Sequence, residues 1–220
     1  MQSRTRWLTV TAALAVAGYA ALWIGYLGQW SWPADLDAAG LDWAHRRAAV
    51  HPAWATAWDV FCTVLGPFVF RLVALVLIVV AWRRRYRRIA VFLLLTVELG
   101  AVLTELAKFL ADRPRPDTAM VHAIGTSFPS GHALGVLVAV LAFSVLAWPR
   151  LSPALRGWWV AAGALVVVGI GTGRVMLNVH HPSDVLAGWA LGYAWFVVVY
   201  LCYPVVRAAD ETPAVPGNAR

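Results

Sequence analysis

The chain alternates between long apolar runs and short polar connections. Apolar runs of about 20 residues are long enough to cross the hydrocarbon core of a bilayer as α-helices. Six such runs are present, at roughly 7–28, 60–82, 89–108, 132–148, 158–177 and 185–203. The first is longer than the apolar core of a secretory signal peptide, so we interpret it as a retained anchor. The pattern predicts an all-α integral membrane protein, a bundle of six transmembrane helices.

Composition supports the same class. Of the 220 residues, 61% are hydrophobic and 13% are charged, which is about half the charged share of a soluble domain. A net charge of +7 is also typical of nucleic-acid binders, but the arginines lie between the apolar runs, where they set topology and contact anionic headgroups. We therefore expect no nucleic-acid partner. Cys62 and Cys202 fall near opposite ends of the predicted spans, so we expect no disulfide between them.

Basic residues predict the orientation, because short cytoplasmic loops carry an excess of Lys and Arg. With both termini in the cytoplasm, most of the 18 basic residues lie on that side, and the cluster from Arg83 to Arg88 decides the choice. The segment 29–59 carries five tryptophans among scattered charges, which predicts one or two helices in the outer headgroup region. We expect residues 1–207 to form one domain in the cell membrane and 208–220 to form a disordered cytoplasmic tail.

Four charged residues inside the spans need partners, because an unpaired charge at mid-membrane costs about 2.5 to 3.5 kcal/mol. Arg71 and Glu98 lie at similar depth on adjacent antiparallel spans, which predicts an ion pair. Glu98, Glu105 and Lys108 recur at helical spacing. We expect their shared face to look into the bundle and Glu105 to neutralise Lys108.

Helix parity predicts that four polar groups meet on the outer side of the membrane. They are Lys108 at the end of the third span, Ser130, Gly131 and His132 at the start of the fourth, Arg174 at the end of the fifth, and His180 with Asp184 at the start of the sixth. The connection after Lys108 adds Arg115 and, as a further candidate, Arg113. The active site is therefore expected at the extracytoplasmic ends of the helices.

This collection of side chains suits a phosphate. Arginine forks match phosphate oxygens, lysine adds a point charge, and the backbone donors of Ser130 and Gly131 lie at a helix N-terminus, which attracts anions. A metal site made of His132, His180 and Asp184 is the competing interpretation. A dication there would face the same cations at close range, so we expect neither a metal nor another cofactor.

Two histidines in different surroundings suit covalent phosphoryl transfer, which needs a neutral nucleophile and a protonated acid. Asp184 lies four residues after His180, close enough to hold one ring nitrogen and present the other as the nucleophile. His132, beside the phosphate cradle, is then the general acid.

Together these residues resemble the type 2 phosphatidic acid phosphatase superfamily, whose signature is K-x6-R-P, P-S-G-H and S-R-x5-H-x3-D. The corresponding stretches here are Lys108 to Arg115-Pro116, Pro129 to His132, and Gly173-Arg174 to His180 to Asp184. The resemblance implies six spans, an outward-facing site and a metal-independent phosphatase that works through a phosphohistidine.

The resemblance also implies the role of each residue. Lys108, Arg115, Arg174 and the amides of Ser130 and Gly131 would clamp the phosphate. His180 would attack, His132 would protonate the leaving group, and Asp184 would hold His180.

Two positions need comment. The family spacing selects Arg115 over Arg113, which we assign to a headgroup or loop contact. Gly173 replaces the family serine and removes one hydroxyl.

The membrane location argues for a lipid substrate. The resemblance implies a polyprenyl diphosphate, phosphatidic acid or phosphatidylglycerol phosphate, of which we favour polyprenyl diphosphate or a related envelope lipid. Two alternatives remain open: a phosphotransferase that passes the phosphoryl group to a lipid or sugar hydroxyl, and a non-catalytic lipid-binding or transport protein on the same scaffold. Oligomeric state is not predicted.

Overall fold

Helices account for the regular structure in a computed structural model, which describes residues 2–51 and 53–205. Within these residues the helices are α1 (Gln2–Leu27), α2 (Ser31–Val50), α3 (Trp54–Val64), α4 (Pro67–Arg83), α5 (Arg87–Leu93), α6 (Leu99–Ala111), α7 (Gly131–Ala147), α8 (Pro153–Met176) and α9 (Pro182–Cys202). A π-helical turn, Leu94–Glu98, joins α5 to α6, and a short 3₁₀ turn, Trp148–Arg150, follows α7. The predicted tail, 208–220, lies outside the described residues.

Six helical segments are long and apolar enough to cross a membrane: Gln2–Leu27, Trp54–Arg83, Arg87–Ala111, Gly131–Arg150, Pro153–Met176 and Pro182–Cys202. The predicted six-span, all-α fold is confirmed. The second segment begins at Trp54 rather than near residue 60, because its first turns pack against α8. There the indole nitrogen of Trp54 donates to the carbonyl of Met176 at 3.1 Å.

Helix α9 carries the largest set of buried residues among the described helices, and it packs closely against α7. Their close approach depends on small residues, as in many membrane helix pairs. A Cβ on Gly188 would lie 2.6 Å from the carbonyl oxygen of Ser130. Glycine at this position therefore brings the start of α7 directly against α9.

Local capping fixes where these two central helices begin. Ser130 is the N-cap of α7, and its side chain accepts the amide of Ala133 at 3.5 Å. Helix α9 has Pro182 in its first turn and a capping box in which Asp184 accepts the backbone N–H of His181 at 2.9 Å. Satisfying these otherwise unpaired donors defines both helix starts.

The predicted ion pair inside the membrane is present. Both Nε and Nη2 of Arg71 donate to Oε2 of Glu98, at 3.1 and 2.9 Å. Lys108 bonds to Glu105 at 3.3 Å, as expected. The expectation that all three residues of that helix face look into the bundle was wrong for Glu105, whose side chain is 74% exposed. It lies on the surface of α6, one turn before Lys108, and reaches that residue without entering the core.

Candidate active site

The structure brings the ends of α6 and α8 together with the starts of α7 and α9. The amide of Ser130 donates to the carbonyl of Asp184 at 2.9 Å, which joins the two helix starts. Lys108 lies against the same turn, since its Nζ would be 3.6 Å from a Cβ on Gly131. The expectation that the Ser130 amide is a free anion donor was wrong, because that amide is bonded to Asp184. The ammonium group lies beside Gly131, the first residue of α7.

His132 follows in the first turn of α7. The charges that act on it come from Arg174, His180, Lys108 and Arg115. All but one of these groups are cations, so an anion bound beside His132 would be surrounded by positive charge.

The loop from 112 to 130 carries Arg115 into the site. Its guanidinium donates to the carbonyls of Ile124, Gly125 and Val179 at 2.8 to 2.9 Å. Its Nη1 also lies 3.2 Å from Nε2 of His180. Burial lowers the pKa of Arg115 from its ordinary value, and an arginine with a lowered pKa still stays protonated at neutral pH. The cation is thus fixed by backbone oxygens beside one nitrogen of the proposed nucleophile.

His180 is fully enclosed in the short connection between α8 and α9, with 1% of its surface exposed. Its Nδ1 lies 3.5 Å from Oδ2 of Asp184 and has no bonded partner among the described residues. That separation exceeds a normal hydrogen bond, although catalytic hydrogen bonds are often long before substrate binds. Burial lowers the pKa of His180 to about 4. The imidazole is therefore neutral at pH 7, as a nucleophile must be.

Arg174 is buried at the end of α8. Its backbone carbonyl accepts the amides of Val179 and His180 at 3.2 and 3.3 Å, which ties it to the connection that holds the nucleophile. Its Nε is buried without a partner among the described residues, and this leaves a donor free for a ligand. The neighbouring Gly173 is packed against Cys62, whose sulfur lies where a side chain at 173 would begin.

Our assignment of Arg113 to a headgroup or loop contact was wrong. Arg113 is 9% exposed. It donates to Asp184 and to Asp37 at 2.7 Å each. The motif spacing selected Arg115 over Arg113, but it says nothing about what the second arginine touches.

Two further residues of the site were missed. Asp37, on α2, lies in a segment without a motif, and no sequence signal connects it with a partner 76 positions away. The second residue is His181, whose Nδ1 lies 3.2 Å from Oδ2 of Asp184, whereas Nδ1 of His180 lies 3.5 Å from that oxygen. That contact had a signal, because Pro182 and Asp184 are spaced as the first and third residues of a capped helix.

A cavity of about 280 Å³ leads away from the site between α4, α6 and α7. Its polar end has Lys108, Gly131 and His132, and its walls continue to Arg71 and Val97 along the helices. The space therefore runs from the cationic cluster toward Arg71, between walls that include the apolar side chains of Phe68 and Val97.

Comparison with known proteins identifies the class. Phosphatidylglycerophosphatase B of Bacillus subtilis is 34% identical over 166 residues, which cover 72% of this chain and 81% of that protein. The lipid A 1-phosphatase of Rhizobium johnstonii is 35% identical over 49% of this chain and 45% of its own length. The undecaprenyl-diphosphatase of Sulfolobus acidocaldarius is 32% identical over 50% and 52%. The chain spans about half the length of the last two relatives.

The fold has a solved counterpart. The crystal structure of a transmembrane PAP2-type phosphatidylglycerolphosphate phosphatase from Bacillus subtilis superimposes with a TM-score of 0.72, at 21% identity, over 94% of this chain and 98% of that one. These relatives place the chain among the membrane lipid phosphatases. The sequence model of the PAP2 superfamily matches residues 89–208, and the chain belongs to that family. The resemblance inferred from the three motifs is confirmed.

Proposed function

We propose that the protein hydrolyses the phosphate or diphosphate headgroup of a membrane lipid through a phosphohistidine on His180. The placement of His180 is the main support. Its Nε2 faces the Arg115 guanidinium at 3.2 Å, while its Nδ1 lies beside Asp184. A phosphate bound to Arg115 would therefore meet the nucleophilic nitrogen directly.

The substrate phosphate is held by the side chains of Lys108, Arg115 and Arg174 and by the amide of Gly131, since the amide of Ser130 is already bonded to Asp184. The free Nε of Arg174 and the ammonium of Lys108 beside the α7 N-terminus support this assignment. The same cations stabilise the charge that builds on the equatorial oxygens during transfer.

Two chemical steps complete turnover. Nε2 of His180 attacks phosphorus as the bond to the leaving oxygen breaks, and His132 gives that oxygen a proton. The bound phosphate favours the protonated form of His132, because it places negative charge beside the ring. Asp184 stabilises the positive charge that develops on His180. Water then attacks the phosphohistidine, His132 accepts its proton, and inorganic phosphate and free His180 are produced.

The cavity between α4, α6 and α7 supports a lipid substrate. It extends from the cationic end of the bundle between walls that include Phe68, Val97 and Ala101, so a headgroup at Lys108 and His132 can keep its tail among the helices. The similar proteins include a phosphatidylglycerophosphatase and an undecaprenyl-diphosphatase. We therefore favour an envelope lipid of either kind, with the site on the outer face of the cell membrane and both termini in the cytoplasm. The arginine cluster between α4 and α5 supports that orientation.

Phosphate release from purified protein in detergent tests the proposal. The panel contains polyprenyl diphosphate, polyprenyl phosphate, phosphatidylglycerol phosphate and phosphatidic acid. We expect release from at least one of them without an added acceptor, no turnover by His180→Ala, and normal turnover by His122→Ala, which changes an exposed histidine of the loop after α6. Full activity of His180→Ala would refute the mechanism. Release that depends on an added hydroxyl acceptor would favour a phosphotransferase.

The proposal requires no metal. Exhaustive chelation should leave the rate unchanged, and a rate that falls with chelation and returns with Mg²⁺ would contradict the metal-free mechanism.

A further inference from the structure

A buried ion network extends the site beyond the three family motifs. At its centre is Arg113, whose Nη1 donates to Oδ1 of Asp184 and whose Nη2 donates to Oδ2 of Asp37, both at 2.7 Å. The guanidinium also lies 4.8 Å from the ring centre of Tyr26 on α1. One arginine therefore links the sixth span to α2 and packs on the first span.

Asp37 is buried, and both of its carboxylate oxygens accept hydrogen bonds. It is 4% exposed. Its Oδ1 accepts the amide of Ser183 at 2.8 Å, and its Oδ2 accepts the hydroxyl of Ser183 at 2.7 Å. Charges this deeply buried are costly unless each is paired and hydrogen-bonded. The network meets that condition at every oxygen of Asp37, and this gives α2 a fixed position against the start of α9.

The network sets the orientation of the Asp184 carboxylate. Arg113 takes Oδ1, and the backbone amide of His181 takes Oδ2 at 2.9 Å. With both oxygens bonded, the carboxylate cannot rotate freely, and Oδ2 remains 3.5 Å from Nδ1 of His180. The ring of His180 is thereby aligned through Asp184 by Arg113, which lies outside the proposed phosphate clamp.

We propose that Asp37 and Arg113 are positioning residues for phosphoryl transfer: Asp37 holds the Arg113 guanidinium, and Arg113 holds Asp184 in the orientation that aligns His180. The inference rests on the proposed function, since it assigns a role within the same reaction. It also gives α2, the helix of the tryptophan-rich segment, a part in the active site.

The charge balance predicts which variant is informative. Removing Arg113 would leave two buried carboxylates unpaired, and the protein would be expected to misfold. Asp37→Asn is milder, because the amide oxygen still accepts the amide of Ser183 while the negative charge is lost. Without the negative charge of Asp37, Arg113 interacts more strongly with Asp184. The Asp184 carboxylate then stabilises the positive charge on His180 less well. Asp35→Asn is the matched control, since Asp35 is an exposed aspartate of the same helix.

The experiment measures kcat, the inhibition constant of inorganic phosphate and thermal stability in detergent. For Asp37→Asn we expect kcat to fall about 10- to 100-fold, the size of loss seen when the outer partner of a functional histidine is removed in metal sites. The inhibition constant should not change, because Lys108, Arg115 and Arg174 are untouched. Asp37→Glu should recover part of the rate, and Asp35→Asn should behave as wild type.

The outcomes are distinguishable. If Asp37→Asn keeps the wild-type kcat, or if the inhibition constant rises in proportion to the loss of rate, the positioning role is overturned. If Asp37→Asn lacks folded protein, Arg113→Lys provides the same comparison, with reduced kcat and unchanged phosphate inhibition as the supporting result. His180→Ala in the same assay separates the two hypotheses. An active His180→Ala refutes the proposed function and this inference together, whereas an inactive one with unaltered Asp37→Asn refutes only the inference.

Discussion

Restoring the family serine at position 173 should destabilise this protein. A Cβ at that position would lie 2.5 Å from the sulfur of Cys62 and 2.9 Å from Cε3 of Trp58, both closer than side chains tolerate. Gly173→Ser therefore forces α3 away from α8 or turns these side chains from their rotamers. Overpacking of this kind costs about 1 to 3 kcal/mol, while serine recovers roughly 0.5 kcal/mol of helix propensity relative to glycine. We expect a net loss of about 0.5 to 2.5 kcal/mol.

Thermal unfolding followed by intrinsic tryptophan fluorescence measures this loss. For a chain of this size each kcal/mol shifts Tm by about 2 to 4 °C. The matched control is Gly157→Ser, at a glycine of the same helix where an added Cβ would meet nothing within 4 Å. Adding Cys62→Ala to Gly173→Ser removes the closest clash, so the double variant should regain part of the lost Tm. The contact with Trp58 accounts for the remainder.

Two results would refute the packing argument. One is a Gly173→Ser protein that has the same Tm as Gly157→Ser. The other is a double variant that melts no higher than Gly173→Ser alone, since the clash with the sulfur would then not be the cause.

Three other predictions concern charge. Arg71→Met should lower stability by about 2.5 to 3.5 kcal/mol, the cost of the unpaired Glu98 in the membrane; adding Glu98→Gln should restore much of it, and no recovery in Tm would contradict the pairing. The pKa of His180 is lowered from 6.5 to about 4 when the protein folds, so the unfolded chain binds the extra proton and stability falls as pH drops below 6.5. The loss is about 2 kcal/mol at pH 5. Tm measured as a function of pH tests this, and an equal fall of Tm in His180→Gln would refute the assignment to His180. Arg174→Lys should reduce phosphate release by at least about 100-fold, because lysine lacks the bidentate fork; a wild-type rate would exclude that role.

Much of the architecture follows from the sequence. The number of apolar runs that are long enough to cross the membrane gives the number of spans. Successive spans cross the membrane in opposite directions, so the end of one span and the start of the next lie on the same side. For this reason Lys108, Ser130, Arg174 and His180 could be grouped without a structure. The Arg71–Glu98 pair was predictable for a related reason, because residue number converts directly into depth along a helix.

Tertiary packing decided the features that surround this site. The sequence placed Asp184 four residues from His180 and so predicted their pairing, but it did not reveal that Arg113 holds the other oxygen. Asp37 reaches Arg113 only because α2 folds back onto the start of α9, and Cys62 meets Gly173 only where α3 crosses α8. Helix period and apolar run length are local properties, so the sequence alone determined the spans and the level at which polar groups emerge. Contacts between distant segments depend on how helices rotate and approach one another, which only the packed structure decides.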